Sequence, residues 1–201
     1  MTLKYPKGSR QPDQLANQSF TQNKKKKSFA NRGMTLEKDI VETNNYYLES
    51  GKAVIHKKPT PIQVVQVDYP KRSAAVIKEA YYRRPSTTDF NGIYSGWHID
   101  FEAKETKNKH SLPLTNIHSH QVEHMRRIDE HGGICFFVIR FSLRNETFLL
   151  FIRPFLKVWQ EAQNQDGRKS IPYSFIKENG YSIPFKLQAK VDYLQVIDDV
   201  Y

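Results

Sequence analysis

Asp100, Glu102 and Lys104 alternate with the apolar residues Ile99, Phe101 and Ala103. In an extended strand this period of two puts both acids and the lysine on one face and the apolar residues on the other. Two carboxylates beside an ammonium on a sheet face are costly unless something compensates them, and a divalent cation does so. Asp89 follows Ser86-Thr87-Thr88 at the start of a second strand, where a two-stranded unit can carry its carboxylate to Glu102. Carboxylate, carbonyl and water oxygens suit Mg²⁺, which takes only one or two carboxylates and leaves room for substrate phosphate. Lys104, pointing the same way as Glu102, can orient an attacking water or offset charge on a phosphorane-like transition state. The chemistry predicted is metal-assisted phosphodiester cleavage. By itself the spacing is weakly specific, because an acid followed two residues later by lysine is also common as a plain surface ion pair.

Two polar residues interrupt apolar helical stripes. Glu37 falls inside the stripe of a first helix, and Gln121 lies four residues after Ile117 and four before Met125, so its amide should point at the sheet. Either alone is more often a satisfied buried polar residue, whereas both converging on one sheet favour a site. The same helix carries His120-Gln121-Val122-Glu123-His124, the H-x-x-E-H pattern of inverted zinc peptidases. His-rich exposed helices are common, and zinc hydrolysis ranks below the magnesium reading. No G-x-x-x-x-G-K-[ST] motif is present, so a nucleotide-triphosphate site has no support. Lys71, Arg72, Lys78, Arg83 and Arg84 interleave with Tyr69, Tyr81 and Tyr82, a composition that attracts phosphates and stacks on exposed bases. The loop containing Arg168 and Lys169 is also basic and can touch a phosphate, although an ordinary solvated loop is an equal reading.

The elements that must hold these residues follow from periodicity. A helix is predicted over 34–48, strands over 53–55 and 62–67, and a turn at 69–73. Residues 74–82 suit either a helix or a strand, with a hairpin preferred. A strand and turn at 93–96 precede a partner strand at 97–105, and a helix over 117–131 ends at Gly132-Gly133. Strands at 134–141 and 147–153 pair, and 154–163 is helical. Interleaved strands and helices predict an α/β domain with a central sheet.

At 201 residues the chain has room for one ordinary domain and a tail, and its 38% hydrophobic and 12% aromatic content supplies a core. One cysteine, Cys135, excludes a disulfide framework or a cysteine-rich zinc site. No apolar run reaches the length of a membrane span and no secretory leader is visible, so a cytoplasmic protein without membrane contact is expected. The net charge of +10 is concentrated in the first 33 residues, which hold eight basic residues, Arg32 among them, against one acidic. That arm is expected to be disordered when free and can lend salt-sensitive affinity for nucleic acid.

Longer strings carry a family resemblance. They are Asn-Arg-Gly-Met-Thr-Leu-Glu at 31–37, Ala-Val-Ile-His-Lys-Lys-Pro-Thr-Pro at 53–61 and Tyr-Pro-Lys-Arg-Ser-Ala-Ala-Val-Ile-Lys-Glu-Ala-Tyr at 69–81. Further on come Ser-Thr-Thr-Asp-Phe-Asn-Gly-Ile-Tyr at 86–94, Ile-Asp-Phe-Glu-Ala-Lys-Glu-Thr-Lys-Asn-Lys at 99–109, His-Gln-Val-Glu-His-Met at 120–125 and Gly-Arg-Lys-Ser-Ile at 167–171. Together they resemble the RecU Holliday-junction resolvases, members of the restriction-endonuclease-like, PD-(D/E)xK nuclease fold. The resemblance implies a central mixed sheet flanked by helices, in a nuclease domain over 34–201 that carries a projecting basic stalk at about 64–85. It implies Mg²⁺, or Mn²⁺ in its place, bound by Asp89, Glu102, Thr87 and Gln121, with Lys104 stabilising the transition state and Glu37 as an auxiliary acid. Asp100 receives no role, and Thr88 stands where the wider pattern often has proline. The stalk would enter the open centre of a four-way junction. Branched DNA, a second copy of the chain and other recombination proteins, such as the recombinase or a branch-migration helicase, are the implied partners. A non-catalytic junction-binding protein is the alternative.

Overall fold

In a computed structural model, the structure describes residues 35–83, 87–164 and 167–201. Arg32, Arg84 and the arm over 1–33 lie outside the described residues.

The elements run in chain order as α1 (Leu36–Glu49), β1 (Val54–Lys57), β2 (Ile62–Asp68), β3 (Val76–Tyr82), β4 (Phe90–Tyr94), β5 (Trp97–Thr106) and β6 (Ser111–Pro113). They continue as α2 (Ser119–Glu130), β7 (Ile134–Phe141), β8 (Glu146–Phe151), α3 (Ile152–Ala162), β9 (Ser170–Pro172), α4 (Tyr173–Asn179), β10 (Tyr181–Ser182) and α5 (Tyr193–Val200). Six strands form one sheet in the order β1-β4-β5-β7-β8-β10. Only β5 and β7 are parallel in it, joined by α2, because a parallel pair needs a crossover. The result is the mixed, helix-flanked α/β sheet that the resemblance implies. Among the described residues no helix is long and apolar enough to cross a membrane.

The β4–β5 connection follows from two residues. Ser95 and Gly96 have φ of +48° and +83°, the doubly left-handed geometry of a two-residue hairpin turn whose twist matches its strands. Gly132, at φ +86°, ends α2 as the sequence predicts.

Alternation along β5 and β7 divides the core in two. Ile99, Phe101, Phe136 and Val138 face α1 and α5, whereas Cys135, Phe137 and Ile139 face the side covered by α2 and α3. On the first side Phe101 stacks between Phe90 and Phe136, with centroids 4.9 and 4.8 Å away. Strand β7 reads Ile-Cys-Phe-Phe-Val-Ile-Arg-Phe, apolar on both faces because both are covered. Strand β5 is apolar on one face only, so Asp100 and Glu102 reach the interior on the α2 side, each 1% exposed.

Between β1 and β4 the chain leaves the sheet and returns as the antiparallel β2–β3 ribbon, with Ile62 opposite Tyr82 and a register shift between Val64 and Gln66. Of the alternatives at 74–82, the hairpin is the one observed, with a single 3₁₀ turn at Arg72–Ala74. Every residue of both strands is exposed. Val64, Val65, Val67, Val76 and Ile77 are therefore apolar residues left in solvent.

Five short elements went unpredicted: β6 and its partner β9, α4, β10 and α5. The predicted strand over 147–153 ends at Phe151, and Pro154 sits in the first turn of α3, where its missing N–H leaves nothing unsatisfied.

Candidate active site

Strand β5 delivers Glu102 and Lys104, the loop before β4 delivers Asp89, and the first turn of α2 delivers Gln121. Around the Glu102 carboxylate these four form one hydrogen-bonded group. Oε1 accepts from Lys104 Nζ at 2.6 Å and from Gln121 Nε2 at 2.8 Å, and Oε2 accepts from the Asp89 backbone N–H at 3.1 Å. The Ala103 N–H donates to Asp89 Oδ2 at 3.3 Å. Gln121, 5% exposed, is fixed at its other end because Oε1 accepts from the His118 N–H at 3.3 Å. Its amide thus links the start of α2 to Glu102, the inward orientation that helical periodicity predicts.

Electrostatically the group is strained. Burial, and then the charge of Asp89, push the Glu102 carboxyl up to about 7, while Lys104 and Gln121 pull the other way. A hard divalent ion placed there would offset that repulsion. Two carboxylates suit Mg²⁺ better than a softer metal, whereas the Gln121 amide gives its NH₂ to Glu102 and its oxygen to the His118 N–H, so ligation by that oxygen requires the amide turned over.

The other predicted residues separate. Thr87 is half-buried in the loop two residues before Asp89. Glu37 is not in the buried stripe of α1, which runs through Leu36, Asp39, Ile40, Thr43, Asn44 and Tyr47. One residue past Leu36, it turns about 100° away and pairs in the open with Lys57 Nζ at 2.6 Å. The apolar side of α1 packs on the Phe101 face of the sheet, opposite Glu102. The H-x-x-E-H residues do not converge as a zinc site requires. His120 stacks on His118 with centroids 5.4 Å apart, and His124 Nε2 lies 3.4 Å from Asp100 Oδ2. Glu123 is gripped by Arg126 and Arg127, whose hydrogen bonds hold its carboxyl down at about 2, too acidic for a general base.

On the ribbon, Lys71 is exposed at the turn and Arg72 lies in its 3₁₀ segment. Lys78 pairs with Asp68 at 3.0 Å, and the Tyr81 hydroxyl donates to Glu79. Tyr82 is 85% exposed, and Arg83 directs its guanidinium at Gln63 Oε1. Arg168 is exposed. Lys169 is engaged elsewhere, because its Nζ donates to the carbonyls of Ala162 and Asn164 at 2.5 and 3.2 Å and so satisfies the end of α3.

Sequence reading missed Lys58. Its ammonium reaches Asp100 Oδ2 at 2.8 Å and Thr88 Oγ1 at 2.9 Å, and its backbone N–H donates to the Asp89 carbonyl at 2.7 Å. The available signal was a lysine between β1 and Pro59, at the root of the ribbon.

A family model described as Recombination protein U matches residues 31–199. The Holliday junction resolvase RecU of Geobacillus kaustophilus (strain HTA426) is 55% identical over 201 residues, covering 100% of this chain and 98% of that protein. The protein of the same name from Geobacillus thermodenitrificans (strain NG80-2) is 53% identical with the same coverage. That from Oceanobacillus iheyensis is 52% identical over 199 residues, covering 99% of this chain and 100% of its own.

Proposed function

The chain belongs to the RecU family, and from that premise we propose that it resolves four-way DNA junctions as a Mg²⁺-dependent endonuclease acting as a homodimer. The observation that carries the reading is the group formed by Asp89, Glu102, Lys104 and Gln121, set at the root of an exposed ribbon bearing tyrosine and basic residues.

Asp89 and Glu102 would hold the ion, with Gln121 and Thr87 completing its protein oxygens. When bound, a divalent cation supplies Lewis-acid polarisation of the scissile phosphate and eases deprotonation of water. The rest belongs to the chain. The Asp89 and Ala103 backbone N–H groups and the Gln121 amide fix the two carboxylates before substrate arrives, so they need no reorganisation during reaction. Lys104 keeps an ammonium 2.6 Å from Glu102, where it can offset charge developing on the phosphoryl oxygens.

Junction selection is read as shape recognition. Lys71, Arg72, Lys78 and Arg83 offer backbone attraction, and Tyr81 and Tyr82 offer stacking surfaces where bases splay at a crossover. An isolated two-stranded ribbon is marginal in water, and its exposed valines suit a structure completed by DNA or a second copy. Two symmetric nicks on strands of like polarity call for two sites related by a two-fold axis, which an isologous dimer provides.

The test is nicking of a synthetic four-way junction by the full chain with and without Mg²⁺. Paired symmetric cuts that need the ion, and vanish in Asp89→Ala and Glu102→Ala while junction binding persists, are expected. Cutting by both variants would remove the assigned site.

A further inference from the structure

Asp100 lies one pleat before Glu102 on the same face of β5 and is equally buried, at 1% exposure. Its environment is specific. Oδ2 accepts from Lys58 Nζ at 2.8 Å, with His124 Nε2 at 3.4 Å and His98 Nε2 at 3.7 Å, and the Thr88 hydroxyl donates to Oδ1. Lys58 Nζ also donates to Thr88 Oγ1 at 2.9 Å, closing a three-membered group of Asp100, Lys58 and Thr88. Thr88 is itself buried, at 2% exposure.

Both of Asp100's closest partners flank the Asp89 peptide. Thr88 is the residue immediately before Asp89, and Lys58 holds the Asp89 carbonyl by its own backbone N–H at 2.7 Å. The Asp89 N–H is held from the other side by Glu102 Oε2. A proline at position 88 would fix φ near −65° through its ring without outside help. Threonine has no such restraint. Anchoring its hydroxyl on a buried carboxylate, which Lys58 compensates, fixes the same stretch of backbone through side chains. A buried carboxylate is costly unless it is paired, and here its two closest partners, Lys58 and Thr88, both hold the segment that presents Asp89, with His124 and His98 farther off.

We propose that Asp100 is a positioning residue: through Thr88 and Lys58 it sets the Asp89 carboxylate for the divalent ion. This rests on the reading of Asp89 and Glu102 as metal ligands. The group couples the root of the β2–β3 ribbon to the metal centre, since Lys58 lies between β1 and the ribbon and Asp89 follows the ribbon's return.

The experiment is a Mn²⁺ titration of the full chain, without DNA, followed by electron paramagnetic resonance, with circular dichroism and thermal melting of each variant. Thr88→Val removes the hydroxyl while keeping shape and charge, and is expected to weaken Mn²⁺ binding about tenfold, the scale seen when the partners that orient metal ligands are removed. Thr88→Ser restores binding, a rescue that a purely volume-filling role would not give. Asp100→Asn weakens binding as well, and combining it with Thr88→Val adds little, because both act through one contact. If Asp100→Asn does not fold, the Thr88 pair decides alone. Asp89→Ala serves as the reference. Should it bind Mn²⁺ like the unaltered chain, the ligand assignment fails. Should it lose Mn²⁺ while Thr88→Val binds normally, the ligands stand and the positioning role of Asp100 is overturned.

Discussion

Asp89 donates its backbone N–H to Glu102 Oε2 at 3.1 Å, so the two acids assigned to the metal are joined by a hydrogen bond that needs no metal. The bond sets their separation, and it also forces like charges together in a buried place. Without a metal that repulsion is not fully compensated, and the proposed ion would offset it.

The effect on stability has a sign and a pH window. Burial and the Asp89 charge raise the Glu102 carboxyl from the ordinary 4.5 to about 7. Between those values the folded, metal-free protein binds more protons than the unfolded chain. The stabilisation is fully present below pH 4.5 and is lost as pH rises through about 7. Glu102→Gln removes the titrating charge. In chelator at pH 8 it is expected to melt a few degrees above the unaltered chain, with little difference near pH 4.5, while losing Mn²⁺ binding. Melting curves at the two pH values check this, and an equal gap at both would refute it.

Lys104 contributes at a different step. Its ammonium contacts Glu102 and is the cation of the group nearest the reacting phosphate in the proposed reading. Lys104→Met is expected to slow single-turnover nicking about 10²- to 10³-fold, the range for losing one preorganised charge-stabilising group. Junction affinity in a gel-shift assay should change little. A parallel fall in affinity would move Lys104 from the chemistry to substrate binding.

On the ribbon, Tyr82 presents most of its ring to solvent, and nothing in the core requires it. Base stacking on such a ring contributes about 1–3 kcal/mol. Tyr82→Ala should therefore weaken junction binding about 5- to 150-fold with unchanged melting, and weaken duplex binding less, because paired bases are not exposed. Lys71→Ala should act differently, weakening junction and duplex alike and lowering the salt dependence by about one counterion. Equal losses on junction and duplex for Tyr82→Ala would contradict stacking at a crossover.

What sequence could and could not reveal follows the range of the interactions. The β5 alternation and the inward Gln121 were legible because period two and period 3.6 are local properties. Glu37 was misread because the buried face of α1 is partly polar. Asp39, Thr43 and Asn44 enter the interior there, bonded to Arg140, the Val191 N–H and the Tyr193 hydroxyl, with Asp39 Oδ1 and Asn44 Nδ2 left without hydrogen bonds. Those partners lie about a hundred residues or more away in the chain, so apolar periodicity chose the wrong stripe. A separation of 42 residues likewise hid the Asp100–Lys58 pair. The two-residue β10 is too short to show a period, whereas α5 does show one in its buried Tyr193, Leu194, Val196 and Ile197 and went unread; both form where the sheet edge and the α1 face receive them.

Arg168 and Lys169 give the sharpest contrast, since adjacent basic residues in one loop read alike in sequence. The structure separates them. Arg168 is exposed, whereas the Lys169 ammonium is tied to the carbonyl of Ala162, in the last turn of α3, and to that of Asn164 just beyond it. Lys169→Ala is expected to cost about 1 kcal/mol of stability through that lost cap while leaving DNA affinity nearly unchanged. Arg168→Ala should do the reverse, sparing the melting temperature and weakening junction binding more at low salt than at high. Denaturant titration beside binding at two salt concentrations separates the two. If Lys169→Ala keeps full stability and loses affinity, its ammonium leaves α3 to bind phosphate and the assignment of this loop is wrong.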